Sequence, residues 1–173
     1  MGRSADIRPA TGDDAGGIAI VHVASWQTAY RGVMPDHVLD GLSVESRANG
    51  WLRIINDPNA TGRTIVADRD GDIVGWASFG PGREEGASDE GERWGLYVHP
   101  SAFATGVGRA LISAAQQALR EDGYACADLW VLDGNERAAE FSENHGWNED
   151  GDVKVDERQT MRLLERRRVT SLI

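Results

Sequence analysis

The chain has 173 residues, 40% hydrophobic and 27% charged, with a net charge of −10; this describes an ordinary globular domain with its own core and argues against nucleic acid or an anionic membrane as the main partner. No apolar run approaches the roughly 20 residues of a membrane span, and the opening Met-Gly-Arg-Ser-Ala-Asp lacks the apolar stretch of a signal peptide. One cysteine, Cys126, excludes an internal disulfide and fits a reducing cytoplasm, while the acidity either serves solubility alone or mildly favours a cationic partner such as an amine.

Ile7 to Ala10 reads as a short first strand. Thr11 opens a helix that runs to about Ala29, with Asp14 in the acidic place of a capping box. Gly16 and Gly17 weaken that helix by about 1 kcal/mol each relative to alanine, so something must compensate. Its end, Val23-Ala-Ser-Trp26-Gln-Thr-Ala-Tyr30, is rich in large amphipathic side chains. Pro35 to Leu42 predicts a second short helix. Ser43 caps a third through Trp51, Leu52, Ile54 and Ile55, ending near Asn56-Asp57-Pro58. Thr64 to Asp68 and Ile73 to Phe79 are strands joined at Asp70-Gly71, a hairpin signal. Gly80 to Gly91 is polar, acidic and glycine-rich, which predicts a flexible loop.

The stretch from Trp94 to Leu119 organises the rest. Trp94, Leu96, Tyr97 and Val98 favour a strand, and Pro100 ends it because it has no N–H to donate. Beyond the turn, Val107, Ala110, Leu111, Ala114, Ala115 and Ala118 mark the apolar stripe of a helix. Gly106 and Gly108 lie at its first turn. The free N–H groups there, at the positive end of the helix dipole, suit a phosphate. Two nucleotide readings fail. The fingerprint G-x-G-x-x-G needs a glycine where Leu111 stands, and the mononucleotide loop needs a lysine after Gly108. Ala127 to Val131 is a fifth strand, with Cys126 at its start. Asn135 to about His145 is a helix that Gly146 closes. Trp147 to Val155 and Arg158 to Leu164 are two last strands, and Arg166 to Ile173 reads as a loose end. Strands first, then strand-helix-strand-helix-strand, predict a mixed sheet with helices on both faces in a single domain, residues 1–173.

Leu96-Tyr-Val-His-Pro100, then five residues, then Gly106-Val-Gly-Arg-Ala-Leu111 resembles the acetyl-CoA-binding motif of the GNAT superfamily of N-acetyltransferases. Asn135-Glu-Arg-Ala-Ala-Glu-Phe141-Ser-Glu-Asn-His-Gly146-Trp147 resembles the second motif of that superfamily, in the matching order and separation. The resemblance runs from about Ile7 to the end. It implies an α/β fold with a twisted mixed sheet of about six to seven strands, splayed between strands four and five to admit the pantetheine arm of acetyl-CoA. The backbones of Leu96, Tyr97 and Val98 would then pair with the pantetheine amides, and an N–H there would hold the developing oxyanion. Ala104, Thr105, Gly106, Val107, Gly108 and Arg109 would cradle the pyrophosphate, and Asn135 would hydrogen-bond the arm. Trp26 and Tyr30 either touch the acceptor or are core aromatics.

The implied activity is direct transfer of an acetyl group to the primary amine of a small molecule or peptide, without a metal. Homodimers are common in the superfamily, though the sequence shows no interface. Glu92, at the start of strand four, is the proposed general base, with His22 second. Two departures stand out. Phe103 replaces the usual Arg or Gln, leaving backbone N–H groups and Arg109 to bind phosphate. Ser142 replaces the tyrosine that protonates the departing thiolate, leaving water or Ser142 itself as the acid. That second departure makes a non-catalytic acyl-CoA-binding module the rival reading. An O-acyltransferase would need a base able to activate a hydroxyl. Cys126 is a weak candidate for an acyl-carrying nucleophile, lying in an apolar strand start with no histidine near in sequence.

Overall fold

The computed structural model describes residues 3–158 and 161–173; residues 159 and 160, which the predicted last strand includes, lie outside the described residues. The strands are β1 (Asp6–Pro9), β2 (Arg63–Arg69), β3 (Asp72–Pro81), β4 (Gly91–Val98), β5 (Cys126–Leu132), β6 (Asn148–Arg158) and β7 (Met161–Ser171). Among the described residues they make one mixed sheet in the order β1-β2-β3-β4-β5-β7-β6. Val66 and Ala67 are neighbours on β2 and both are fully buried, because helices cover both faces. Val66 and Trp76 pack against α1 (Ala15–Ala29) and α3 (Val44–Ile55). Ala67 and Ala77 pack on the other face against Val107 and Leu111 of α4 (Val107–Glu121). There α5 (Glu136–Asn144) also lays Ala138 and Phe141 on the cluster of Ile112, Leu129 and Trp147. The short α2 (Asp36–Asp40) seats Leu39 against Tyr30, Met34, Leu132 and Leu163. Among the described residues no helix is long and apolar enough to cross a membrane.

Local signals explain much of this. A Cβ at Gly17 would stand 2.7 Å from Ile73, so glycine lets α1 sit close on β3, and that contact offsets its poor helix propensity. Asp14 accepts from the Thr11 backbone N–H at 2.8 Å, as a capping box requires, after a single 3-10 turn over Gly12–Asp14. The Arg8 guanidinium grips the same carboxylate with two bonds of 2.8 and 2.9 Å and holds its pKa below the usual range. Gly146 closes α5 at φ +86; its N–H reaches the Glu143 carbonyl at 3.0 Å, and that of Trp147 reaches Ser142 at 2.9 Å.

Two expectations are corrected. The chain beyond Arg166 is not loose: β7 pairs with β5 from Leu132↔Glu165 to Cys126↔Ser171, and Leu172 is 1% exposed. The run of Arg166, Arg167 and Arg168 reads as a solvated tail, but each guanidinium is paired, with Asp133, Asp128 and Glu143 respectively. The connection expected over Gly80 to Gly91 is shorter, because β3 extends to Pro81. It is also anchored, with Gly82 N–H donating to the Glu90 carbonyl at 2.8 Å and Glu84 holding Lys154 at 2.6 Å.

The feature that positions the site is a break in the sheet. β4 and β5 are parallel and pair only at Gly91↔Ala127 and Glu92↔Asp128. Beyond that point β4 stays with β3 as far as Gly75↔Val98, and β5 stays with β7. The facing edges part and leave a wedge between them.

Candidate active site

The wedge opens into a cavity of about 420 Å3 that α4, α5 and, through Ser25 and Ala29, α1 help to line. One wall is Leu96, Tyr97 and Val98 of β4; the other is Asn135, Arg137, Ala138 and Phe141 at the start of α5. Ala104, Gly106, Gly108 and Arg109 form the mouth. Gly106 caps α4 in the left-handed region at φ +88, and Ala104 adopts φ +58, a strain of about 1 kcal/mol for a residue with a Cβ. The first-turn N–H groups of α4 have no intrahelical partner and lie at this mouth. A Cβ on Gly108 would come within 3.1 Å of the Phe141 ring, so glycine sets how closely α4 approaches α5. Thr105 and Val107 do not line the cavity. The Thr105 hydroxyl donates to the Ala102 carbonyl at 2.6 Å, and Val107 is buried against Ala67 and Leu111.

Asn135 is the N-cap of α5: its Oδ1 accepts from Ala138 N–H at 3.3 Å, which leaves the amide NH2 for a guest. Phe103 brings no charge, but the Arg137 guanidinium stacks 3.6 Å from its ring centroid, so Arg137 and Arg109 together make the mouth cationic. Sequence reasoning passed over Arg137. Its signal was its place two residues into a motif already picked out.

A second cavity of about 500 Å3 is lined by aromatic rings. Trp26 comes from α1 and Tyr30 from its C-cap, Trp76 from β3, Trp130 from β5, and Lys154 and Glu165 from the last hairpin. Trp26 meets Tyr30 edge to face at 5.1 Å. The Tyr30 and Tyr97 hydroxyls are hydrogen-bonded at 2.8 Å. Burial pushes the Tyr97 phenol up from its ordinary pKa, so it stays protonated at neutral pH. Lys154 lies 4.3 Å from the Trp130 ring centroid.

His22 also lines this cavity, with its Nδ1 already engaged. Trp51 Nε1 can only donate, and it donates to His22 Nδ1 at 3.2 Å. Burial lowers the imidazole pKa to about 4, so the ring is neutral and its proton sits on Nε2. The one basic lone pair of the ring, on Nδ1, is taken up by Trp51.

Arg93 and Tyr97 line both cavities. Arg93 is 9% exposed and spans the wedge from β4 to α5, donating from Nη2 to Ser142 Oγ at 3.3 Å. Its guanidinium carbon lies 5.4 Å from the Trp147 ring centroid, and Nη1 has no hydrogen-bond partner. Among the described residues it forms no ion pair. Burial lowers its pKa to about 10. Ser142 is 0% exposed and lines neither cavity. Glu92 is 1% exposed and likewise outside both. Its Oε1 accepts from the Arg83 backbone N–H at 2.9 Å, and Oε2 accepts from Arg83 Nε and Nη2 at 3.0 and 2.6 Å. Cys126 is half-buried at the start of β5, away from both cavities, and burial pushes its thiol up.

Residues 25–147 match the acetyltransferase (GNAT) family. Over 129 residues the chain is 31% identical to an uncharacterized N-acetyltransferase, YuaI, of Bacillus subtilis (strain 168), covering 75% of this chain and 72% of that one. Its fold is similar to that of the PaiA N-acetyltransferase from Thermoplasma acidophilum, solved in complex with coenzyme A, with a TM-score of 0.72 at 18% identity over 98% of this chain and 99% of that one. It is also similar to that of yncA from Salmonella typhimurium, solved with its cofactor acetyl-CoA, with a TM-score of 0.68 at 20% identity over 99% of this chain and 95% of that one.

Proposed function

The chain belongs to the acetyltransferase (GNAT) family, and from that premise we propose that it moves an acetyl group from acetyl-CoA directly to the primary amine of a small molecule or peptide in the cytoplasm. The observation that carries this reading is the meeting of two unlike cavities at one break in the sheet, with Arg93 and Tyr97 in the walls of both. A donor and an acceptor held in two cavities that share a wall need only touch for the reaction to become unimolecular.

In this reading the amides of Ala104 to Arg109 hold the pyrophosphate at the start of α4, with Arg109 and Arg137 adding charge. The free edge of β4 at Leu96, Tyr97 and Val98 pairs with the pantetheine amides as an added strand would. One N–H of that edge polarises the thioester carbonyl and holds its oxyanion. Asn135 donates its amide N–H to the same arm. Trp26 and Tyr30 hold the acceptor beside Tyr97. The surplus proton of the amine leaves through water in the acceptor cavity, since both Glu92 oxygens are engaged by Arg83.

The second reading is a non-catalytic acyl-CoA-binding module of the same fold, favoured by Glu92 and Ser142 lying outside both cavities. A thiol-release assay with acetyl-CoA over a panel of primary amines, beside calorimetric titration of acetyl-CoA, separates the two. Turnover on any amine supports the transferase. Binding without release on every amine supports the module. No binding of acetyl-CoA overturns both.

A further inference from the structure

We propose that Arg93 holds the negative charge that leaves on the thioester sulfur, acting as a fixed cation and not as a proton donor. This rests on the acetyl-transfer reading above. In that reaction the amine lone pair forms the new C–N bond. The C–S bond breaks, and its electron pair goes to sulfur. The surplus proton on nitrogen passes to water in the acceptor cavity. A thiolate is therefore made where the two cavities meet.

Arg93 stands at that junction. Its Nη2 is taken by Ser142, and its Nη1 is buried without a hydrogen-bond partner. Among the described residues the other buried guanidinium of comparable depth, Arg168, is 4% exposed and is paired with Glu143 at 2.7 Å and with Glu149 at 3.4 Å. Arg93 has no such carboxylate among the described residues. A buried charge without a counter-ion costs several kcal/mol. A protein that retains one at the junction of two cavities has a place for an anion supplied by its guest. Trp147 under the guanidinium face and Ser142 at one edge fix its plane, which suits a charge meant to be in place before the bond breaks. The guanidinium remains charged at neutral pH, so it has no proton to give up there. Ser142 is then a positioning residue for Arg93.

The test reads the sulfur directly. Ultraviolet titration of the thiol of CoA bound to the wild-type protein, with desulfo-CoA as the blank, is expected to give a midpoint about one pH unit or more below that of free CoA. In Arg93→Gln that displacement disappears, and kcat falls about a hundredfold with KM for acetyl-CoA little changed. Arg93→Lys restores part of both. In Tyr97→Phe the displacement persists. Bound CoA that titrates like free CoA in the wild-type protein overturns the proposal, however the variants behave. So does a folded Arg93→Gln with wild-type kcat, or a displacement that vanishes with Tyr97→Phe instead. Wild-type protein that binds no CoA fails at the earlier step and overturns the acetyl-transfer reading with it.

Discussion

The hydroxyls of Tyr30 and Tyr97 lie 2.8 Å apart, one at the C-terminal end of α1 and the other near the free end of β4. Tyr97 lines both cavities, and Tyr30 lines the aromatic one alone. Losing one such bond costs about three- to tenfold in the step it serves. Tyr30→Phe is therefore expected to raise KM for the acceptor and leave KM for acetyl-CoA unchanged. Tyr97→Phe is expected to lower kcat as well. Steady-state kinetics in both substrates checks this, and indistinguishable profiles for the two variants would refute it.

Glu92→Gln tests what the carboxylate does. The substitution leaves the Arg83 guanidinium without its charged acceptor and puts a neutral amide in a sealed site. A loss of about 2 to 4 kcal/mol in chemical denaturation is expected. The pH profile of kcat/KM should keep its shape, because the carboxylate does not reach either cavity. A vanished acid limb would instead restore the general-base role that its place in the sequence suggests.

Gly108→Val should drive α4 from α5, since its Cβ alone would come within 3.1 Å of Phe141. Affinity for CoA is expected to fall at least about tenfold in calorimetry, an effect on the order of 1.4 kcal/mol. Gly106→Ala meets open space but keeps a left-handed backbone at φ +88, so its cost is about 1 kcal/mol of strain, read as a lower melting temperature. Equal CoA affinity for Gly108→Val and wild type would show that the approach of the two helices does not shape the cavity.

Asp128 pairs in register with Glu92 at the root of the break. Burial, and then the charge of Glu92, raises its pKa to about 6. The folded state thus binds this proton more tightly than the unfolded chain does. Its contribution favours folding below the unfolded value of 3.8 and is lost as pH rises through about 6. Asp128→Asn removes that dependence. Its melting temperature relative to wild type is expected to improve between about pH 5 and about pH 7.5. A difference that stays constant across this range contradicts the assignment.

The strand, turn and helix around Gly106 were legible because every cue there is local: a proline stop, two glycines and a 3.6-residue stripe lie within one stretch of chain. Gly146 was legible for the same reason. β7 was not. A run of three arginines looks solvated until Asp133, Asp128 and Glu143, all remote in sequence, are brought beside it. Arg93 was missed although it adjoins Glu92. Which of the two reaches the wedge depends on the irregular register between β3 and β4 at Ser78 and Phe79, where Trp94 is left out of the ladder. One extra residue in a strand reverses which side chains face which way, and nothing in the run from Gly91 to Val98 announces it.

The two-rung ladder between β4 and β5 also bears on how the molecule avoids its own kind. An unpaired strand edge at the rim of a sheet is an invitation for a second chain to dock and aggregate. Here the unpaired edge is internal, at the floor of a groove overhung by the start of α4 and faced by α5. A strand from a folded neighbour would have to pass α4 and α5 to reach it, whereas a narrow, flexible arm need only thread between them. The same backbone edge is thus open to a slender ligand and screened from a neighbouring sheet.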